Sequence, residues 1–231
     1  MAGELLRYMD ECLIKLMEPK DIASVLVNEL ESISESRTIP MRKVRRKYSK
    51  MLRSKEAQFI IEVAEIILNY GKHQWIAYEI IRDHSATFRS LDRNKLETIG
   101  RGINSWSSVD SFSRTLSGPA WREGMVSMET IRDWAQSGNR WWRRAALVST
   151  VALNVRSRGG KGDVKKTLTI CEMFVEDYDD MVVKALSWAL RELVVHDPKA
   201  VEEFLFSHKD VLAARVRREV MNKIKTGLKN P

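Results

Sequence analysis

Apolar residues recur along nearly the whole chain at the three- and four-residue spacing that gathers them on one side of a helix. No run alternates apolar and polar residues over strand length with hairpin turns to match, so the pattern predicts an all-α protein. In residues 56–70, EAQFIIEVAEIILNY, the positions Phe59, Ile60, Val63, Ile66, Ile67 and Tyr70 form one broad stripe, with Ser54 before it as candidate cap and Gly71 behind it. Pro19 and Pro40 stand near helix starts, Ser127 precedes METIRDWAQS with Gly138 behind, and Asp197-Pro198 reads as cap and first turn of AVEEFLFS. Roughly a dozen helices joined by short turns fit this punctuation.

Two places interrupt the pattern. Ser117-Gly118-Pro119 is expected to break the chain, and residues 156–162 to form a flexible basic loop. Helical periodicity continues on both sides of each, so residues 1–231 read as a single domain. The steps from Trp106 to Arg144 and from Arg144 to Trp188 are 38 and 44 residues, close to the roughly 40 to 47 residue period of HEAT-type repeats. A curved HEAT-like solenoid is therefore expected, with Trp106, Asp110, Arg144 and Trp188 on one concave surface.

Charge adds a partner. Against 31 acidic residues stand 39 Lys and Arg, a net charge of +8, which favours a polyanion. Residues 37–55 hold nine basic residues and no acid, 140–166 hold eight against Asp163, and 209–231 hold seven against Asp210 and Glu219. The rest of the chain is accordingly acidic. One such window alone is most simply a solvated helix face, but three together favour nucleic acid, with Arg45, Arg46, Arg156, Arg158, Lys161, Arg217 and Arg218 as candidate contacts. Cys12 and Cys171 are too few for a disulfide framework and read as buried free thiols. The four histidines lack zinc spacing, so neither metal nor cofactor is expected. No segment holds 18 uninterrupted apolar residues, and the amphipathic N-terminus, MAGELLRYMDECLIKL, is not a signal peptide; a cytoplasmic, nucleoid-associated protein away from membranes is expected.

Three segments carry candidate chemistry. In INSWSSVDSF, Val109 and Phe112 supply the core side while Trp106 and Asp110, four apart, share a neighbouring face; a solvated aspartate is the plain alternative. In RWWRRAALVSTVAL, Trp142, Ala146 and Leu147 turn toward neighbours, and only one of Arg143 and Arg144 can point into a groove. In MVVKALSWALRELV, the buried stripe is Val182, Ala185, Leu186, Ala189, Leu190 and Leu193, with Trp188 at its edge, a position equally suited to a core residue.

These segments resemble the AlkD-like DNA alkylation repair proteins, which are HEAT-repeat DNA glycosylases. WSSVD is similar to the family's Trp-x-x-x-Asp element, WWRRAALV to its Trp-x-x-Arg-Ala element and KALSWALREL to its Lys-Ala-x-x-Trp-x-Leu-Arg-Glu element. The likeness runs on through DPKAVEEFL and RVRREVMNKI, covering residues 100–225 best; Asp180 and Met181 stand where the family often has aromatics.

The resemblance implies Trp106 and Trp188 as aromatic contacts to a lesion nucleotide, Asp110 as the catalytic carboxylate and Arg144 as a phosphate-contacting cation, with Arg143 its near rival. It further implies double-stranded DNA containing alkylated bases as the partner, while a solenoid with its own caps is commonly a monomer. An N3- or N7-alkylated purine already carries positive charge, so its departure needs no general acid, only stabilisation of an oxocarbenium-like sugar by a fixed carboxylate. A lyase step would need an activated amine. Lys184 is the nearby amine and reads as solvated or phosphate-contacting, which implies monofunctional excision. A non-catalytic solenoid binding damaged or distorted DNA, and a protein-binding adaptor, are the competing readings of the same scaffold.

Overall fold

The structure is a computed structural model that describes residues 16–33 and 38–231; Cys12 and Arg37 lie outside the described residues. Among the described residues there are fourteen α-helices and no strand, as the periodicity predicts. The chain divides into two compact units, Met1–Leu91 with Glu97–Gly102, and Asp92–Leu96 with Ile103–Pro231.

The first unit holds α1 (Pro19–Glu31), α2 (Thr38–Met51), α3 (Ala57–Asn69), α4 (Gln74–Asp83) and α5 (Ser85–Arg89), with α3 packed against α1, α4 and α5. Pro19 sits in the first turn of α1, where its missing N–H costs nothing. The stripe of α3 is rotated from the sequence expectation: Ile60, Ile61, Val63, Ala64 and Ile67 are buried, whereas Tyr70 is exposed. Packing on more than one side draws Ile61 and Ala64 inward, and the Phe59 ring lies under the Lys55 ammonium, 4.1 Å away. Ser54 does not cap α3; it ends a 3₁₀ turn, Leu52–Ser54, and Glu56 occupies the cap position without a side-chain bond.

After α6 (Arg93–Gly100), the second unit builds from α7 (Trp106–Phe112), α8 (Gly118–Arg122), α9 (Met128–Ala135), α10 (Arg140–Asn154), α11 (Val164–Glu172), α12 (Asp180–Val194), α13 (Pro198–Ser207) and α14 (Ala214–Thr226). Helices α7, α10, α12 and α14 form one row in which each packs on the next, and α9, α11 and α13 pair with α10, α12 and α14 from the other side. This is a helical-repeat arrangement of two-helix units, the kind a solenoid is made of, with α10, α12 and α14 beginning 40 and 34 residues apart. All six stripe residues of α12 are buried. Ser127 and Asp197 cap α9 and α13 by accepting from the Thr130 and Ala200 amides.

Both expected interruptions are corrected. At Ser117-Gly118-Pro119 the chain stays helical, because a π-turn over Ser113–Ser117 widens the coil and makes room for the proline ring before α8 begins. Gly118 is there for contact: a Cβ on it would lie 2.6 Å from the Ala152 Cβ and 2.7 Å from the Ser149 carbonyl of α10. The segment 156–162 is pinned rather than flexible. Arg122 donates to the Ala152 and Arg158 carbonyls at 3.0 and 2.8 Å, Arg156 to that of Val195 at 3.1 Å, and the Gly160 and Gly162 amides bond to Val155 and Leu153 carbonyls. Gly162, at φ +85°, packs against the His196 ring.

The substitution Gly118→Ala is expected to destabilise the protein by about 1 to 3 kcal/mol through overpacking between α8 and α10, read as a lower urea midpoint at unchanged slope. An unaltered midpoint would show that the two helices can part without cost.

Candidate functional site

Helix α7 sets the first two groups. Ser105 and Ser108 form a capping box, with Ser105 Oγ accepting from the Ser108 amide at 3.3 Å and Ser108 Oγ from the Ser105 amide at 3.2 Å. The cap leaves Trp106 in the first turn, 59% exposed, and Val109 and Phe112 fully buried. Asp110 follows one turn after Trp106 with a side chain only 15% exposed.

Helix α10 supplies its partner. Asn139 caps the helix by accepting from the Trp141 amide at 2.9 Å, and Trp142 packs at 6.0 Å against Phe112 and 4.8 Å against Trp134, which fixes the rotation of α10 about its axis. Arg144 is thereby turned inward, 5% exposed. Its Nε and Nη2 donate to the two oxygens of Asp110, each at 2.9 Å, and its Nη1 donates to the Met181 carbonyl at the start of α12 at 2.5 Å. Two parallel charge-assisted bonds from one planar fork define the plane of the carboxylate. The sequence expectation of Arg144 on a phosphate meets a guanidinium already engaged on both edges. Arg143, its near rival, is engaged as well: it donates to Asp177 at 2.8 Å and to the Ser137 and Gly138 carbonyls at 3.1 and 3.2 Å.

Helix α12 carries Trp188, half-buried, its indole N–H donating to Glu192 one turn on at 2.9 Å. Over its ring, 5.4 Å from the centroid, lies the guanidinium of Arg114, which comes from the π-turn after α7. Burial holds the Arg114 pKa below the usual guanidinium range, and the charge of Arg158 adds to this, while Asp110 and Glu192 act the other way. The two indoles make no ring contact with each other. One residue before Trp188, Ser187 ties α12 to α14: it donates to the buried Glu219 at 2.6 Å and accepts from Arg191 at 3.2 Å. Burial likewise lowers the Arg191 pKa.

The remaining candidates divide by their partners. Arg45 is paired with Glu79 and Asp83, Lys184 with Asp180 at 2.6 Å, and Arg156 with the Val195 carbonyl. The hydrogen bond from Lys184 holds the Asp180 carboxyl below its usual range. Arg46 is exposed and, among the described residues, bonds to the Arg42 carbonyl in its own helix; Arg158, Lys161, Arg217 and Arg218 are exposed, with no ion pair to a described residue. Sequence reasoning missed Arg114 and Glu192. The signal was present, because Trp106, Asp110 and Arg114 step along one helix at intervals of four, and so do Lys184, Trp188 and Glu192.

The sequence matches the family described as DNA alkylation repair enzyme over residues 35–224. The chain belongs to that family. The match begins well before residue 100, so the first unit is part of what this DNA alkylation repair family member shares with the others. No curated protein gives a match. Among the described residues, no group of His, Cys, Asp and Glu is placed to hold a metal ion, and no helix is long and apolar enough to cross a membrane. Cys171 is free and fully buried, and burial pushes its thiol up.

Removing one partner of a buried ion pair leaves the other charge uncompensated. Arg144→Ala is therefore expected to cost about 3 kcal/mol in urea unfolding, with most of the loss absent when Asp110→Asn is already in place. Additive losses in the double variant would mean that the two side chains do not depend on each other.

Proposed function

We propose that the protein is a monofunctional DNA glycosylase that releases cationic N3- or N7-alkylated purines from duplex DNA in an open groove. It would act as a monomer in the cytoplasm. The observation that carries this reading is the Asp110 carboxylate, held in a fixed plane by Arg144 one helical turn from the exposed indole of Trp106.

Each Asp110 oxygen accepts one bond from Arg144 and keeps a second lone pair for a developing positive charge. A carboxylate that is fixed in place needs no reorganisation as the glycosidic bond lengthens, which is where electrostatic catalysis gains most. The cationic base takes the electron pair of the glycosidic bond and leaves neutral without a proton donor, and a water that the Asp110 carboxylate helps to orient adds to the sugar's anomeric carbon, leaving an abasic site and a released proton. Arg144 on this reading is a positioning residue, and Trp106 and Trp188 select and place the lesion nucleotide at about 0.5 to 2 kcal/mol each. Lys184, bound to Asp180, is not the desolvated amine that strand cleavage would need.

A second reading is favoured by one observation: the Trp188 ring already carries Arg114 and its N–H is bonded to Glu192. A protein using this surface would bind damaged or distorted DNA without releasing base. Incubation with duplex DNA containing 7-methylguanine, followed by measurement of free base, separates the two. Release is expected from the wild type, and Asp110→Asn is expected to lower it by about a hundredfold or more with affinity changed only a few-fold. Binding without release in the wild type would favour the second reading, and equal release from the variant would remove Asp110 from the chemistry.

A further inference from the structure

Arg144 and Arg114 stand at Asp110 and Trp188, Arg143 is the next residue to Arg144 in the chain, and the three differ in what holds them. Arg144 and Arg143 each end on a carboxylate and on main-chain carbonyls. Arg114 makes no hydrogen bond and no ion pair with a described residue; its Nε is shielded from solvent and unsatisfied, and its one partner is the Trp188 ring. A partly buried cation in this state is a standing demand for an acceptor, since buried donors in folded proteins are otherwise bonded. Burial is also the main influence on its pKa, which is the electrostatic expression of the same deficit.

The acceptor's chemistry follows from the neighbours. The two nearest carboxylates are engaged elsewhere, Asp110 by Arg144 and Glu192 by the Trp188 indole. Arg158, whose charge is felt at Arg114, is exposed and has no ion pair with a described residue. A guanidinium over an aromatic ring, with a second cation near enough for its charge to be felt, suits an external anion with several oxygens, bonded to a flat apolar group.

We infer that Arg114 is the phosphate-contacting cation of this site, taking a backbone phosphate of the nucleotide whose base and sugar are met by Trp106 and Asp110. This rests on the reading that the site binds DNA. Trp106 and Asp110 set an indole and a carboxylate one turn apart on α7, about 6 Å along its axis, and Arg114 brings a guanidinium four residues further on, in the π-turn. Base, sugar and phosphate of one nucleotide follow one another in the same order and at a similar interval. The π-turn that begins at Ser113 carries Arg114 and aims it across to α12 rather than along its own helix.

The test is the salt dependence of binding to a short DNA duplex. Arg114→Gln is expected to lower the slope of log K against log salt by about 0.9, one phosphate contact, so that affinity falls most at low salt. Arg114→Met keeps an apolar stem against the indole and is expected to lose the same slope; Arg114→Lys is expected to retain it. A slope unchanged in the first two variants, with a salt-dependent wild type, would overturn this assignment and leave the DNA reading standing. A wild-type affinity indifferent to salt would overturn both.

Discussion

The contact between Arg144 and Asp110 joins three helices that are far apart in sequence. Its carboxylate comes from α7, its guanidinium from α10, and the third bond closes on the first turn of α12. A buried ion pair contributes little net stability against an apolar replacement, because desolvation of both charges offsets their attraction. What it supplies is definition. Only a planar fork can hold both oxygens of a carboxylate and still reach a carbonyl, and a lysine in its place would leave the carboxylate free to turn. Asp110 is a fixed charge only because that fork holds it.

The aromatic cluster of Phe112, Trp134 and Trp142 makes the pair possible. On a helix, adjacent residues point about 100° apart, so seating Trp142 between α7 and α9 decides where Arg143 and Arg144 go. One reaches Asp177 on the loop before α12, the other Asp110. The net charge of +8 is thus a poor guide to what DNA would meet, since many of the cations in the basic windows are committed within the protein.

How far the sequence was legible follows from the same distinction. Period and punctuation suffice for most helices and for the buried stripe of α12, because these depend on local spacing. They mislead at Ser117-Gly118-Pro119, where turn residues serve close approach to α10, and at residues 156–162, where main-chain bonds from distant arginines pin a loop of flexible composition. The Trp106 and Asp110 face was legible, as both lie on one helix. The engagement of Arg144 was not, for it depends on how α10 is rotated against its neighbours, and no local pattern encodes that. Arg114 lay in plain view at the next step of four, but its contact with the Trp188 ring depends on how the π-turn aims it toward α12, which no local pattern encodes.

Magnitudes decide why two arginines of one site should meet different ends. Arg144 makes two bonds to a charged acceptor and one to a carbonyl, each charged bond contributing about 1.5 to 3 kcal/mol, and leaving them would strand Asp110 in a largely buried position. No single exposed phosphate contact matches that loss. Arg114 is in contact with an indole face, about 0.5 to 2 kcal/mol, feels the charges of Asp110 and Glu192 without bonding to either, and carries the unmet requirement of its Nε. A phosphate offers it more than it gives up. The stronger anchor therefore stays with the structure, and the weaker one is the side chain free to answer a ligand.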